Sequence, residues 1–112
     1  MTDQELLELA AKAVGYTVLH HVDGYVDEYG NGPDYGLQIE GYYCVWNPLD
    51  DDDDALRLAT RLKINIVFVG TFVRCSGSGK DFVIVDEELG ENEGKAVRRA
   101  IVKVAAKIGE LM

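Results

Sequence analysis

Trp46-Asn47-Pro48-Leu49-Asp50-Asp51-Asp52-Asp53-Asp54-Ala55-Leu56-Arg57-Leu58-Ala59 joins an apolar stretch to a stretch of helical spacing, and it fixes how the rest of the chain divides. Pro48 removes an amide and disfavours helix at Asn47, so the helix begins beyond it with Asp50 or Asp51 as its cap. Ala55, Leu58, Ala59 and Leu62 then fall on one face. Leu49 is placed to pack back on that face as a staple, and Arg57 and Arg61 lie on the wetter side.

Working upstream, Leu37 to Trp46 reads as an extended run and Tyr16 to Val22 as a short strand. Between them, Asp23 to Gly36 is punctuated by glycine, asparagine and proline and reads as a loop or loose hairpin tip. Thr2-Asp3-Gln4-Glu5 fits a capping box, with Glu5 reaching back to the amide of Thr2. The helix that follows carries Leu6, Leu9, Ala10, Ala13 and Leu7 on its apolar side, and Gly15 is placed to end it. Downstream, Ile64 to Arg74 and Phe82 to Val85 are rich in β-branched and aromatic residues, and the Cys75 to Lys80 loop between them predicts an antiparallel hairpin. Glu91 to Gly109 is the last and longest helix, with Val97, Ile101, Val104 and Ile108 as its inner stripe, broadened by Ala96, Ala100 and Ala105.

Tyr42 to Trp46, Ile66 to Val69 and Phe82 to Val85 are apolar on consecutive residues, so both faces of those strands call for cover. Three helices with apolar stripes are available to give it. The expected architecture is α+β, a three-layer α-β-α sandwich with a largely antiparallel sheet of about four strands and three helices. With 112 residues and neither an internal repeat nor a linker, residues 1–112 read as one domain.

The apolar runs are far shorter than the ~20 residues needed to span a bilayer, so no membrane partner is expected. The start of the chain lacks the basic and apolar blocks of a secretion signal, which predicts a cytoplasmic location. Cys44 and Cys75 are too few for a disulfide framework and are expected as buried thiols. The net charge of −9 is uneven: residues 1–56 hold thirteen acids and one base, residues 57–112 seven acids and ten bases. Such a surface repels phosphate backbones, so no nucleic-acid partner is expected.

The helical segments carry a resemblance. Trp46-Asn47-Pro48-Leu49 with its acidic cap, Leu6 to Ala13, and Arg98-Arg99-Ala100-Ile101-Val102-Lys103-Val104-Ala105-Ala106 are similar to a group of small proteins of tailed phages and prophages, the phage αβα-sandwich domain of unknown function. The resemblance implies a phage or prophage origin, in a bacterial host, and agrees with the fold argued above. It brings no activity and no catalytic residues. The unbroken aspartate run departs from the group, whose members tend to place a small residue within it.

The remaining chemistry is weighed residue by residue. Five consecutive carboxylates at a helix start point in different directions, whereas calcium loops space ligands at alternate positions; capping and dipole complementation account for the run. Trp46 reads as a core anchor and Asn47 as a turn residue satisfying local backbone. His20 and His21 are adjacent, so a strand sends them to opposite faces. Ser76-Gly77-Ser78-Gly79-Lys80-Asp81 lacks the first glycine and the final Ser/Thr of a phosphate loop. The basic band Lys95, Arg98, Arg99, Lys103 and Lys107 reads as a solvated face with internal ion pairs.

The expectation is therefore a non-enzymatic accessory protein without cofactor or metal, binding a host or phage protein of unknown identity. The candidate contact surface is Tyr25, Tyr29 and Tyr35 with Trp46, Asn47, Asp50, Asp51, Asp52 and Asp53. Two other readings are a small-molecule or divalent-metal domain, and a structural or virion-associated homo-oligomer.

Overall fold

A computed structural model describes residues 1–25, 28–29, 34–77 and 82–112. Three helices, α1 (Asp3–Ala13), α2 (Asp52–Leu62) and α3 (Glu93–Glu110), pack with two antiparallel sheets. One sheet pairs β1 (Val18–Tyr25) with β2 (Asp34–Ile39). The other runs in the order β3 (Asn65–Val69), β4 (Phe72–Ser76), β5 (Ile84–Glu88). The class is α+β, as the sequence predicts, with five strands in two sheets rather than about four in one.

The helix ends follow local rules. Thr2 Oγ1 accepts the Glu5 amide at 3.1 Å, but the Glu5 carboxylate takes the Thr2 hydroxyl proton (3.1 Å) rather than the Thr2 amide. Gly15, at φ +78°, ends α1, and the Tyr16 amide folds back to the Ala11 carbonyl at 2.9 Å. The buried side of α1 is Leu6, Leu7, Ala10, Ala11 and Val14; Leu9 and Ala13 sit at its margin. Asp51 caps α2 by accepting the Asp54 amide at 2.9 Å, with Ala55, Leu58 and Ala59 buried, and Leu49 is buried in the same core cluster. Asn92 caps α3 through the Lys95 amide at 3.0 Å.

α3 is the hub. It packs most extensively on α1 and also on α2, β4 and β5. A helix covered from opposite sides has no single inner stripe, so Val102 and Ala106 are buried along with Ala100, Ile101, Val104 and Ala105. Val97 and Ile108, expected in the stripe, are only partly covered. At the α1 crossing Gly109 meets the backbone of Leu9 with no room for a side chain.

The strands depart from the sequence reading in three places. Leu37 to Trp46 is not one strand: β2 ends at Ile39, the chain turns at Glu40 and Gly41 (φ +87°), and only a Leu37–Trp46 bridge ties the return. Tyr43 and Cys44 on that return are exposed. The Ile64 to Arg74 run is broken at Gly70 (φ +59°), whose Gly70-Thr71 turn makes β3 and β4 a hairpin. The expected cover on both strand faces fails for β3, exposed at every residue. β4 and β5 bury Val73, Cys75 and Val85 under α3 and leave the opposite side to Phe72, Arg74, Ile84, Asp86 and Glu88. Four apolar residues in succession cannot all face a single-sided core, and among the described residues Ile66 to Val69 stay exposed. Residues 78–81 of the loop expected before β5 lie outside the described residues.

The two thiols differ. Cys75 is buried, and burial pushes its thiol up to about 11; Cys44 is exposed. At pH 8 a pKa of about 11 leaves roughly one Cys75 in a thousand as the reactive thiolate. One fast equivalent of thiol is therefore expected in a disulfide-exchange assay of the native protein, and a second only on unfolding. Two fast equivalents would contradict the burial of Cys75. Among the described residues no helix is long and apolar enough to cross a membrane.

Candidate functional site

A cleft of about 490 Å³ opens where the start of α1, the β1–β2 pair and the Asn47–Asp50 turn converge. Asp3, His21, Asp23, Tyr35, Asn47 and Asp50 line it. Each comes from a different local cause. Asp3 is in the first turn of α1, where an acid complements the helix dipole. His21 and Asp23 share one face of β1 at the period-two spacing of a strand. Tyr35 pairs with Asp23 across the ladder.

Gly36 makes the convergence possible. It sits at φ +145°, and a Cβ there would lie 2.5 Å from the Trp46 carbonyl oxygen and 2.9 Å from the Cβ of Asn47. Only glycine lets β2 lie this close over the Trp46–Asn47 segment.

Asn47, buried at the floor, is held by its own hydrogen bonds. Its Nδ2 donates to the Tyr35 carbonyl (2.8 Å) and to Asp50 Oδ2 (3.3 Å), and its Oδ1 accepts the Leu49 amide at 3.0 Å. Its backbone amide donates to Asp54 Oδ2 at 2.9 Å. Asp54 is partly buried, and desolvation raises its carboxyl above the usual range. The Asn47 amide opposes the rise, and the charge of Asp51 adds to it.

The aspartate run therefore does not act as one group. Asp50 faces the cleft, Asp51 caps α2, Asp52 pairs with Arg98 at 2.7 Å, Asp53 is exposed, and Asp54 ties down the turn. Among the described residues no three of the His, Cys, Asp and Glu side chains gather where they could hold a metal ion.

Of the residues named from sequence, Tyr35, Asn47 and Asp50 meet in the cleft. Tyr29 is exposed, and the side chain of Tyr25 lies outside the described residues. Trp46 belongs to the core, 2% exposed, with its ring edge-on to Tyr16 at 5.6 Å, and it offers no contact surface. It packs in the cluster of buried hydrophobic residues that includes Leu37, Ile39 and Leu49. Asp51, Asp52 and Asp53 lie beyond the cleft lining.

Sequence reasoning missed Asp3, His21 and Asp23. Residues 3, 21–23, 35 and 47–50 are neighbours only through the folded chain, and the one signal in the sequence was the crowding of acids into its first half. Around the rim, Asp3 is paired with Arg99 at 3.1 Å, and His21 Nε2 lies 2.5 Å from Glu8 Oε1. No protein-family model, no curated protein and no solved structure matches the chain.

Proposed function

We propose that this chain is a non-enzymatic binding module that takes a Lys/Arg-bearing segment of a protein partner into the cleft. The observation that carries the reading is the convergence of Asp3, Asp23 and Asp50 with the exposed Tyr35 around one concave site, on a chain of net charge −9. Carboxylates at a rim steer a basic partner and fix its register, and a tyrosine ring offers a guanidinium an apolar face. With Asp3 partly neutralised by Arg99, Asp23 and Asp50 are the principal anchors. The floor supports binding more than chemistry, because Asn47 is committed to the backbone of Tyr35 and Leu49. The resemblance of the helical segments to small phage and prophage proteins extends the proposal: an accessory protein of phage or prophage origin acting in the bacterial cytoplasm on a host or phage protein.

The test is titration of fluorescent peptides rich in arginine and lysine, with composition-matched acidic peptides as controls. Micromolar binding that weakens as salt rises from 50 to 300 mM is expected for the basic set. Asp23→Asn is expected to weaken it about tenfold, close to 1.4 kcal/mol, with an unchanged melting temperature. Equal affinity of Asp23→Asn, or equal binding of the acidic peptides, would overturn the proposal.

A further inference from the structure

β3 is an edge strand without the usual protection. Its five residues, Asn65-Ile66-Val67-Phe68-Val69, carry no charge, no proline and no bulge. Ile66, Val67, Phe68 and Val69 are 37%, 51%, 62% and 39% exposed. An edge of this kind is a template for another strand, and proteins normally blunt it with charge, bulges or cover. The other edge strands among the described residues do so. β5, the opposite edge of the same sheet, carries Asp86, Glu87 and Glu88. The β1–β2 ladder is broken by register shifts between Val18 and His20 and between Asp23 and Tyr25.

The geometry points to a second copy of this chain as the occupant, joined edge to edge through antiparallel β3 strands about a two-fold axis at Val67. The backbone fixes the register. The two-residue Gly70-Thr71 turn closes on Val69 and Phe72 as a hydrogen-bonded pair, and Val67–Arg74 is the next. The alternation leaves the N–H and C=O groups of Ile66 and Phe68 pointing away from β4. In a two-fold pairing centred on Val67, Ile66 of each copy lies opposite Phe68 of the other. The outward groups then bond reciprocally, and the two Val67 residues face each other as the close, non-hydrogen-bonded pair.

Side chains and charge agree with that register. On one face Ile66 and Phe68 continue the layer of Cys75 and Val73 beyond the cover of α3, so each copy shields the exposed Phe68 ring of the other. On the other face Val67 is flanked by Arg74, whose charge is met by Asp86 at 2.8 and 3.0 Å. Two chains of net charge −9 thus approach through a segment that carries no charge of its own. Each copy shows one such edge among its described residues, so pairing closes at a six-stranded sheet instead of growing into a fibre. One strand pair is small beside the ~1,600 Å² of a standard interface, which sets the dimer in the weak, concentration-dependent class.

Sedimentation from 1 to 500 μM is the test. The mass is expected to rise with concentration from 12.4 kDa towards twice that value. Val67→Lys sets two like charges on the axis at an exposed position, and is expected to stay monomeric throughout with an unchanged melting temperature. In a background with Cys44→Ser and Cys75→Ser, Val67→Cys is expected to crosslink under mild oxidation, because close antiparallel pairs meet disulfide geometry. Ile66→Cys, which faces Phe68, is not. A wild-type chain that stays monomeric at 500 μM overturns the inference, as does a dimer that survives Val67→Lys. Asp23→Asn, which tests the cleft, leaves this dimer intact, so the two readings fail separately.

Discussion

Gly109→Ala is expected to destabilise the protein by about 3 kcal/mol or more, although it replaces a poor helix former with the best one. Propensity alone favours alanine by about 1 kcal/mol in a helix interior. The position decides otherwise. A Cβ on Gly109 would lie 2.1 Å from the carbonyl oxygen of Leu9 and 2.9 Å from its carbonyl carbon. Both are backbone atoms of α1, so no rotamer change relieves the overlap. α1 and α3 would have to part along the most extensive helix–helix contact among the described residues, and overpacking of this kind costs about 1–3 kcal/mol and sometimes more. Gly94→Ala is the matched control in the same helix. Its Cβ would meet side chains alone, the end of Arg98 at 3.2 Å and Asn92 Oδ1 at 3.8 Å, and no backbone atom of another element. It is expected to be neutral or to stabilise by up to about 1 kcal/mol. Urea unfolding followed by circular dichroism reads both variants. Equal stability of Gly109→Ala and the parent would mean that α1 and α3 do not cross at this point.

Trp46→Ala is expected to cost about 3–5 kcal/mol, the range for truncating a large buried aromatic. Trp46 is 2% exposed, stands edge-on to Tyr16, and its backbone makes both hydrogen bonds of the Leu37 bridge, at 3.0 and 2.8 Å. Truncation would leave a cavity under Tyr16, which also lies 5.3 Å, ring to ring, from Tyr42. Trp46→Phe keeps most of the volume and is expected to lose about half as much. Because Trp46 is the sole tryptophan, the alanine variant must be followed by circular dichroism rather than by indole fluorescence. A loss below about 1 kcal/mol would place the ring outside the core.

The helices were legible because their determinants are local. Thr2, Pro48 with Asp51, and Gly15 each announce an end within a few residues, and the structure uses all of them. The sheet was less legible. Gly70 lay inside a run that composition treats as continuous, and only its positive φ reveals a hairpin. The runs Ile66 to Val69 and Phe82 to Val85 were read as calling for two covered faces, yet Phe68 and Phe82 are exposed. Composition reports that a strand is apolar; it does not report whether a second layer exists to meet it. β5 shows the converse, since its acids Asp86 and Glu88 lie on the outer side and masked the strand. The cleft was the least legible, because it is assembled from four distant segments and depends on Gly36 having no side chain.

Five identical letters conceal a strict division of labour. Asparagine scanning across Asp50 to Asp54 should yield unlike phenotypes: a milder cap at 51, a weakened tie to the last helix at 52, silence at 53, a loosened loop at 54. Inserting one more aspartate would leave the stretch almost indistinguishable by eye, yet every member would be handed its neighbour's post. The motif is thus tolerant of spelling and intolerant of length, the reverse of what a homopolymer suggests.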